Sequence, residues 1–135
     1  MGRMAQVPLG SKNEEKVLVT SEIAIDFLGL ETARVLATPH LIGLLEMPAR
    51  NAIKPHLEDG YDTVGTQVNV RHLAATPMGM SATFRAEVIA VDDRRVTCNV
   101  EAFDEKEKIA EGTHERFIVN VARFATRVQA KAAGQ

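Results

Sequence analysis

The sequence predicts an α+β domain in which one long amphipathic helix is cradled by a curved antiparallel sheet of about five strands. Three observations carry that reading. Residues 36–57, "LATPHLIGLLEMPARNAIKPHL", place apolar residues at helical spacing behind a helix-start signal. After Gly60 the period changes to two, through four segments separated by turn residues. A lone helix with one apolar stripe must bury it, and a twisted sheet wrapped around it is the economical partner. Such a sheet keeps exposed edge strands, which favours pairing between subunits.

Residues 1 to about 13 read as a flexible lead-in, and "EKVLVTSEIAIDF" has the β-branched residues of a first strand. "LGLETARVLA" suits a short helix or a loop. Thr38 followed by Pro39 then reads as a hydroxyl N-cap with proline at the first helical position. At about 100° per residue, Leu41, Ile42, Leu44, Leu45, Ala49, Ala52 and Ile53 fall in one arc with Thr38, opposite His40, Gly43, Met47, Arg50, Asn51 and Lys54. Glu46 lands on the border of the apolar arc, beside Ile42 and Ile53. Pro48 projects from the apolar side and removes the hydrogen bond to the Leu44 carbonyl, so a bend is expected one turn before it. The helix should end near Leu57, ahead of the turn "EDGYD".

The segments "TVGTQVNVRHLAATP", "SATFRAEVIAVDD", "RRVTCNVEAFDEKE" and "KIAEGTHERFIVN" predict four strands in an antiparallel meander. Residues 92–94 and 104–106 are the expected hairpin turns, and "VARFATRVQAKAAGQ" a terminal helix that frays. The 135 residues suit a single domain that buries roughly two-thirds of the surface its unfolded chain exposes.

The composition excludes several function classes. A net charge of −2 leaves no electrostatic footprint for nucleic acid or an anionic membrane. At 4% aromatic and without Trp, the chain also lacks stacking platforms for bases. Its one cysteine, Cys98, forms no internal disulfide and sits in an alternating apolar run, where it reads as a buried small hydrophobe. His40, His56, His72 and His114 lack close ligand spacing, so no metal site is expected. Without an apolar leader or a membrane-length run, a soluble, cytoplasmic protein is expected.

Parity along the first long strand singles out a site. Val64, Thr66, Val68, Val70 and His72 share one face, and Gly65, Gln67, Asn69 and Arg71 share the other. The apolar face must pack on the helix, so His72 should point toward it and share a partly buried region with Glu46. A carboxylate set among Leu, Ile and Met side chains is desolvated, and a nearby imidazole carries protons near neutral pH. Thr38 and the helix N-terminus offer donors to a carbonyl oxygen that gains negative charge. These are parts for acyl transfer to water. No G-x-S-x-G elbow supports a serine nucleophile. One difficulty is distance: Thr38 and Glu46 lie about 12 Å apart along an unbroken helix, so substrate, distortion or a second subunit must join them.

The texts "AT", "GLLE", "TVGTQVNVRHLAATPMGM", "FRAEV" and "GTHER", across roughly residues 37–120, resemble the hotdog-fold acyl-CoA thioesterases. In detail they are similar to the fluoroacetyl-CoA thioesterase-like family. The resemblance implies a hotdog fold and hydrolysis of a short or medium acyl-CoA thioester to a carboxylic acid and free CoA. It places the family's catalytic residues on Thr38, Glu46 and His72, and its substrate-contacting glycine and arginine on Gly65 and Arg116. Glu46 would be nucleophile or general base, and His72 the proton carrier. Coenzyme A belongs to the substrate, and no other cofactor is implied. A homodimer with acyl-CoA bound between subunits is the implied assembly, with a tetramer of paired dimers as the alternative. The fluoroacetyl-specific member carries phenylalanines in a lid before the catalytic Thr; here no aromatic falls between Leu28 and Thr38, which points to a different acyl group. Two rival functions share the fold: a non-catalytic acyl-CoA-binding module, and an enoyl-CoA hydratase.

Overall fold

The computed structural model describes residues 6–26, 29–30 and 33–135. The first strand, β1 (Lys12–Leu18), starts earlier than the sequence suggests. Val7 is already buried, and Gly10 and Ser11 exchange backbone hydrogen bonds with Val88 at 2.8 and 2.9 Å. Residues 7–13 are therefore fastened to the sheet, where a flexible lead-in was expected. The charged sequence of β1, KNEEKVL, reflects a strand at a sheet edge, where one side faces water. The predicted first strand breaks after Leu18, and its second half supplies the short β2 (Ala24–Ile25), paired with β3 (Val35–Leu36). The segment "LGLETARVLA" thus ends in a strand; Leu28, Glu31 and Thr32 within it lie outside the described residues.

Helix α1 spans Thr38–Ile53 and passes into a 3-10 turn, Lys54–His56, so the helical run stops at Leu57 as its sequence predicts. It buries Leu41, Leu45, Pro48, Ala49, Ala52 and Ile53. Truncating Leu41 or Leu45 to Ala would cost about 2–5 kcal/mol each. The helix runs through Pro48, whose ring is buried and whose missing N–H leaves the Leu44 carbonyl without that partner.

Four long strands follow: β4 (Tyr61–His72), β5 (Ser81–Asp92), β6 (Arg95–Asp104) and β7 (Lys108–Asn120). The sheet order is β1-β5-β6-β7-β4, antiparallel throughout. The expected meander therefore holds for β5, β6 and β7 only, because β4 lies beyond β7. A tight two-residue turn cannot join β4 to β5: residues 73–80 connect them, and this segment holds Pro77. It is pinned by a bridge from Pro77 to Val35 and by the Thr76 hydroxyl, which donates to Asp104 Oδ2 at 3.0 Å. The two hairpin turns fall where predicted, Asp93 taking the left-handed conformation in the first. The inner face of the sheet contributes Phe84, Val88, Val96, Cys98, Val100 and Ile118 to the core around α1. This is the hotdog arrangement. Helix α2 (Val121–Ala132) is capped by Asn120 Oδ1, which accepts from the Arg123 N–H at 3.1 Å. No described helix is long and apolar enough to cross a membrane.

A bulge corrects the parity of β4. Gly65 pairs with Arg116 and Gln67 with Glu115, so Thr66 is an extra residue without a partner of its own. Beyond it Val68, Val70 and His72 lie on the helix face, as predicted. Before it the alternation reverses, and Thr63 and Gly65 take the helix face in place of Val64.

The outer face carries a ladder of charges with one rung per strand: Glu14, Arg85, Glu101, Glu111 and Arg71 stand opposite one another in register. Arg85 meets Glu14 at 2.6 Å, Arg71 pairs with Glu111, and Lys108 bridges the like charges Glu101 and Glu111 at 3.4 and 2.7 Å.

Candidate active site

The N-cap of α1 is Ala37, not Thr38, and no side chain caps this end. The Thr38 hydroxyl is committed to tertiary structure instead: Oγ1 lies 2.8 Å from His72 Nδ1, at the end of β4. A hydroxyl and a neutral imidazole can each donate to the other, and the pair lies on an exposed part of the helix. Burial pushes the pKa of His72 down, with a smaller opposing effect from the Ala74 backbone, and the ring is neutral near pH 7. Its Nε2 is buried without a hydrogen-bond partner.

Glu46 sits two turns further along α1 in different company. Its Oε1 lies 3.5 Å from Arg116 Nη1 and 3.6 Å from His114 Nε2. A guanidinium and an imidazole therefore face the carboxylate, in addition to the apolar helix residues the sequence set beside it. Gly65 makes this approach possible, since a Cβ there would lie 2.5 Å from Glu46 Oε1. The carboxylate side chain remains 39% exposed, so a ligand can reach it.

Arg116 is held from three sides. Its Nε donates to Thr63 Oγ1 at 2.7 Å and its Nη2 to the Thr63 carbonyl at 2.8 Å. Its Nη1 lies 3.1 Å from His114 Nε2. Burial pulls the Arg116 pKa down, opposed mainly by Glu46, yet a guanidinium keeps its charge. His114 is 1% exposed, and its Nδ1 lies 2.9 Å from the Gln67 carbonyl, which can only accept. Nδ1 therefore bears the proton, and Nε2 accepts from Arg116. Burial is the largest effect on His114 and lowers its pKa.

The five residues singled out by sequence thus fall into two clusters. Thr38 meets His72; Glu46 meets Gly65 and Arg116, joined by His114 and Thr63. His72 pairs with Ala110 and Gly65 with Arg116, so the clusters are six residues, roughly 20 Å, apart along β7. Sequence reasoning placed His72 and Glu46 in one region, and a single chain does not bring them together. His114, weighed from sequence as a metal ligand, was given no place in the site. A clue lay in its parity, which it shares with Arg116 and the core residue Ile118. Thr63 was passed over because the bulge hid its face. Among the described residues no group of three His, Cys, Asp or Glu side chains converges to hold a metal.

Comparisons with known proteins place the chain in a family. The family model described as fluoroacetyl-CoA-specific thioesterase matches residues 19–122. The fluoroacetyl-CoA thioesterase of Streptantibioticus cattleyicolor is 39% identical over 101 residues, covering 75% of this chain and 73% of the relative. The solved structure of the fluoroacetyl-CoA thioesterase FlK superposes with a TM-score of 0.84 at 32% identity, over 93% of this chain and 98% of that one. A variant of that enzyme has been solved in complex with fluoroacetate and CoA. A hot-dog-like protein from Thermanaerovibrio acidaminovorans shares the fold at 24% identity, with a TM-score of 0.83 over 92% of each chain. With the family match spanning most of its length, the chain belongs to the fluoroacetyl-CoA-specific thioesterase family.

Proposed function

We propose that this protein is a homodimeric acyl-CoA thioesterase that hydrolyses a short or medium acyl-CoA to a carboxylic acid and free CoA. The observation that carries the reading is the Glu46 carboxylate, held beside Gly65 by a buried Arg116 in a chain of this family. Coenzyme A enters as part of the substrate, and the chemistry asks for no other cofactor. Water adds to the thioester carbonyl as Glu46 takes its proton; the C–S bond then breaks, and the departing thiolate recovers a proton through His72. Thr38 orients His72 or donates to the carbonyl oxygen. In the variant of this scheme where Glu46 itself attacks, an acyl-enzyme anhydride forms and water then hydrolyses it. Single-turnover hydrolysis in ¹⁸O-water separates them: direct addition of water puts one ¹⁸O in the product acid, whereas an anhydride opened at the Glu46 carbonyl gives an unlabelled acid and leaves the ¹⁸O on Glu46.

The two clusters account for the dimer. Each site takes Glu46, Gly65 and Arg116 from one protomer and Thr38 with His72 from the other. The unpaired edge of β4 is the seam that suits such pairing. A lone, buried thiol at Cys98 fits a reducing cytoplasm.

The test is thiol release from a panel of short and medium acyl-CoAs. Release abolished or greatly slowed by Glu46→Gln and by His72→Ala supports the assignment; wild-type rates in both variants overturn it. Tight binding without thiol release marks an acyl-CoA-binding module instead. Hydration of an enoyl-CoA without thiol release marks a hydratase.

A further inference from the structure

We propose that His114 is a positioning residue for this site: its neutral imidazole accepts one Nη1–H of Arg116 and so turns the other Nη1–H toward Glu46. The inference rests on the thioesterase reading and extends it to a residue that touches no substrate. Three observations converge on it.

First, both ring nitrogens of His114 are engaged and their roles are fixed. The Gln67 carbonyl, 2.9 Å from Nδ1, requires a donor there. Nε2 is then the only acceptor the ring offers, and Arg116 Nη1 stands 3.1 Å away. Second, the guanidinium is anchored away from the carboxylate. Nε–H and one Nη2–H bond Thr63 through its hydroxyl and its carbonyl, and Nη1 is the nitrogen that stands 3.5 Å from Glu46. An Nη1 shared between an imidazole acceptor and a carboxylate has one hydrogen for each. Third, the Gln67 carbonyl is adjacent to the bulge at Thr66 that brings Gly65 onto the helix face. The single ring of His114 thus ties the bulged backbone of β4 to the arginine that faces the carboxylate.

The groups around the ring are consistent with this role. Glu46 faces it from α1 and Arg116 from its own strand, Cys98 stands opposite on β6, and Glu115 is its chain neighbour. Protonation of Nε2 would set two donors against each other at Arg116 and turn the ring into a second cation beside Glu46. The arrangement therefore requires a neutral ring.

Two measurements test it together. Nitrogen-15 chemical shifts and two-bond couplings of the His114 ring, recorded on the wild-type protein at pH 7, report its tautomer independently of any activity. The Nδ1–H, Nε2-acceptor form is expected; an Nε2–H tautomer or a charged ring overturns the proposal. In thiol-release kinetics, His114→Phe keeps ring volume without an acceptor, and kcat should fall about 10- to 100-fold with KM changed far less. His114→Gln restores an acceptor and should recover part of that loss. Wild-type kcat in His114→Phe, or no gain from Gln over Phe, overturns it. If the wild type releases no thiol, the activity reading fails, while the tautomer still decides how Arg116 is held.

Discussion

Replacing Gly65 with Ala tests how tightly the site is built. A Cβ at this position would lie 2.5 Å from Glu46 Oε1, 3.2 Å from His114 Cε1 and 3.6 Å from Arg116 Nη1. Ordinary contact begins near 3.4 Å, so the carboxylate oxygen must retreat by about 0.9 Å. His114 cannot yield as easily, because both of its nitrogens are bonded and it is buried. Glu46 can, because it is the far end of a flexible, partly exposed side chain. The strain is therefore relieved by displacing the functional group, with little effect on the fold. A misplacement of about 1 Å can cost on the order of 10²-fold in rate, or roughly 2.7 kcal/mol of transition-state stabilisation. Steady-state thiol release should show that loss mainly in kcat, while the melting temperature moves by only a few degrees. Unchanged kinetics would mean that the glycine does not protect the place of Glu46. A collapse in melting temperature would mean that the rigid groups yield first, which contradicts the reasoning.

Other outcomes follow from the same geometry. Mixing inactive Glu46→Gln and His72→Ala chains under subunit exchange should restore about a quarter of the wild-type rate, because half the dimers then hold one intact site; no recovery would mean that each site lies within one chain. Burial lowers the pKa of both His72 and His114 below 6.5, so the unfolded chain binds more protons in that window. Stability should be full above about pH 6.5 and decline as pH falls through it, read as a falling urea midpoint between pH 8 and pH 5; a flat midpoint counts against it. Cys98 is fully buried, and burial pushes its thiol up to about 11. It should resist thiol reagents in the native protein and react promptly in denaturant; fast native labelling would contradict the placement.

Much of the fold is legible in the chain because local periodicity and tertiary burial agree there. The buried face of α1, the inward turn of His72, the burial of Cys98 and both hairpin turns follow from spacing alone. The departures have physical causes that spacing does not carry. Thr38 before Pro39 has the grammar of an N-cap, but a better partner, His72, arrives from 34 residues away. The edge strand β1 hides behind its charges, since a strand at the surface need not look apolar. The bulge at Thr66 adds one residue that no alternation predicts, and it reverses the face of Gly65. Glu46 was visible as a misfit in an apolar run, whereas its partners Thr63, His114 and Arg116 come together only when β4 and β7 are laid side by side.

The charge ladder on the outer face bears on that alignment. Each exposed pair contributes little by itself, about 0–1 kcal/mol. Together the rungs act as a vernier for strand registration. Sliding β1 by two residues along β5 would set Glu14 opposite Glu87 instead of Arg85, a like-charge meeting. Sliding any strand by one would turn its rung into the apolar core. Between β4 and β7 the same pairing of Arg71 with Glu111 indexes Gly65 to Arg116, several residues further along the two strands. Surface charges that touch no ligand thereby calibrate, from the far side of the sheet, where the carboxylate and its arginine meet.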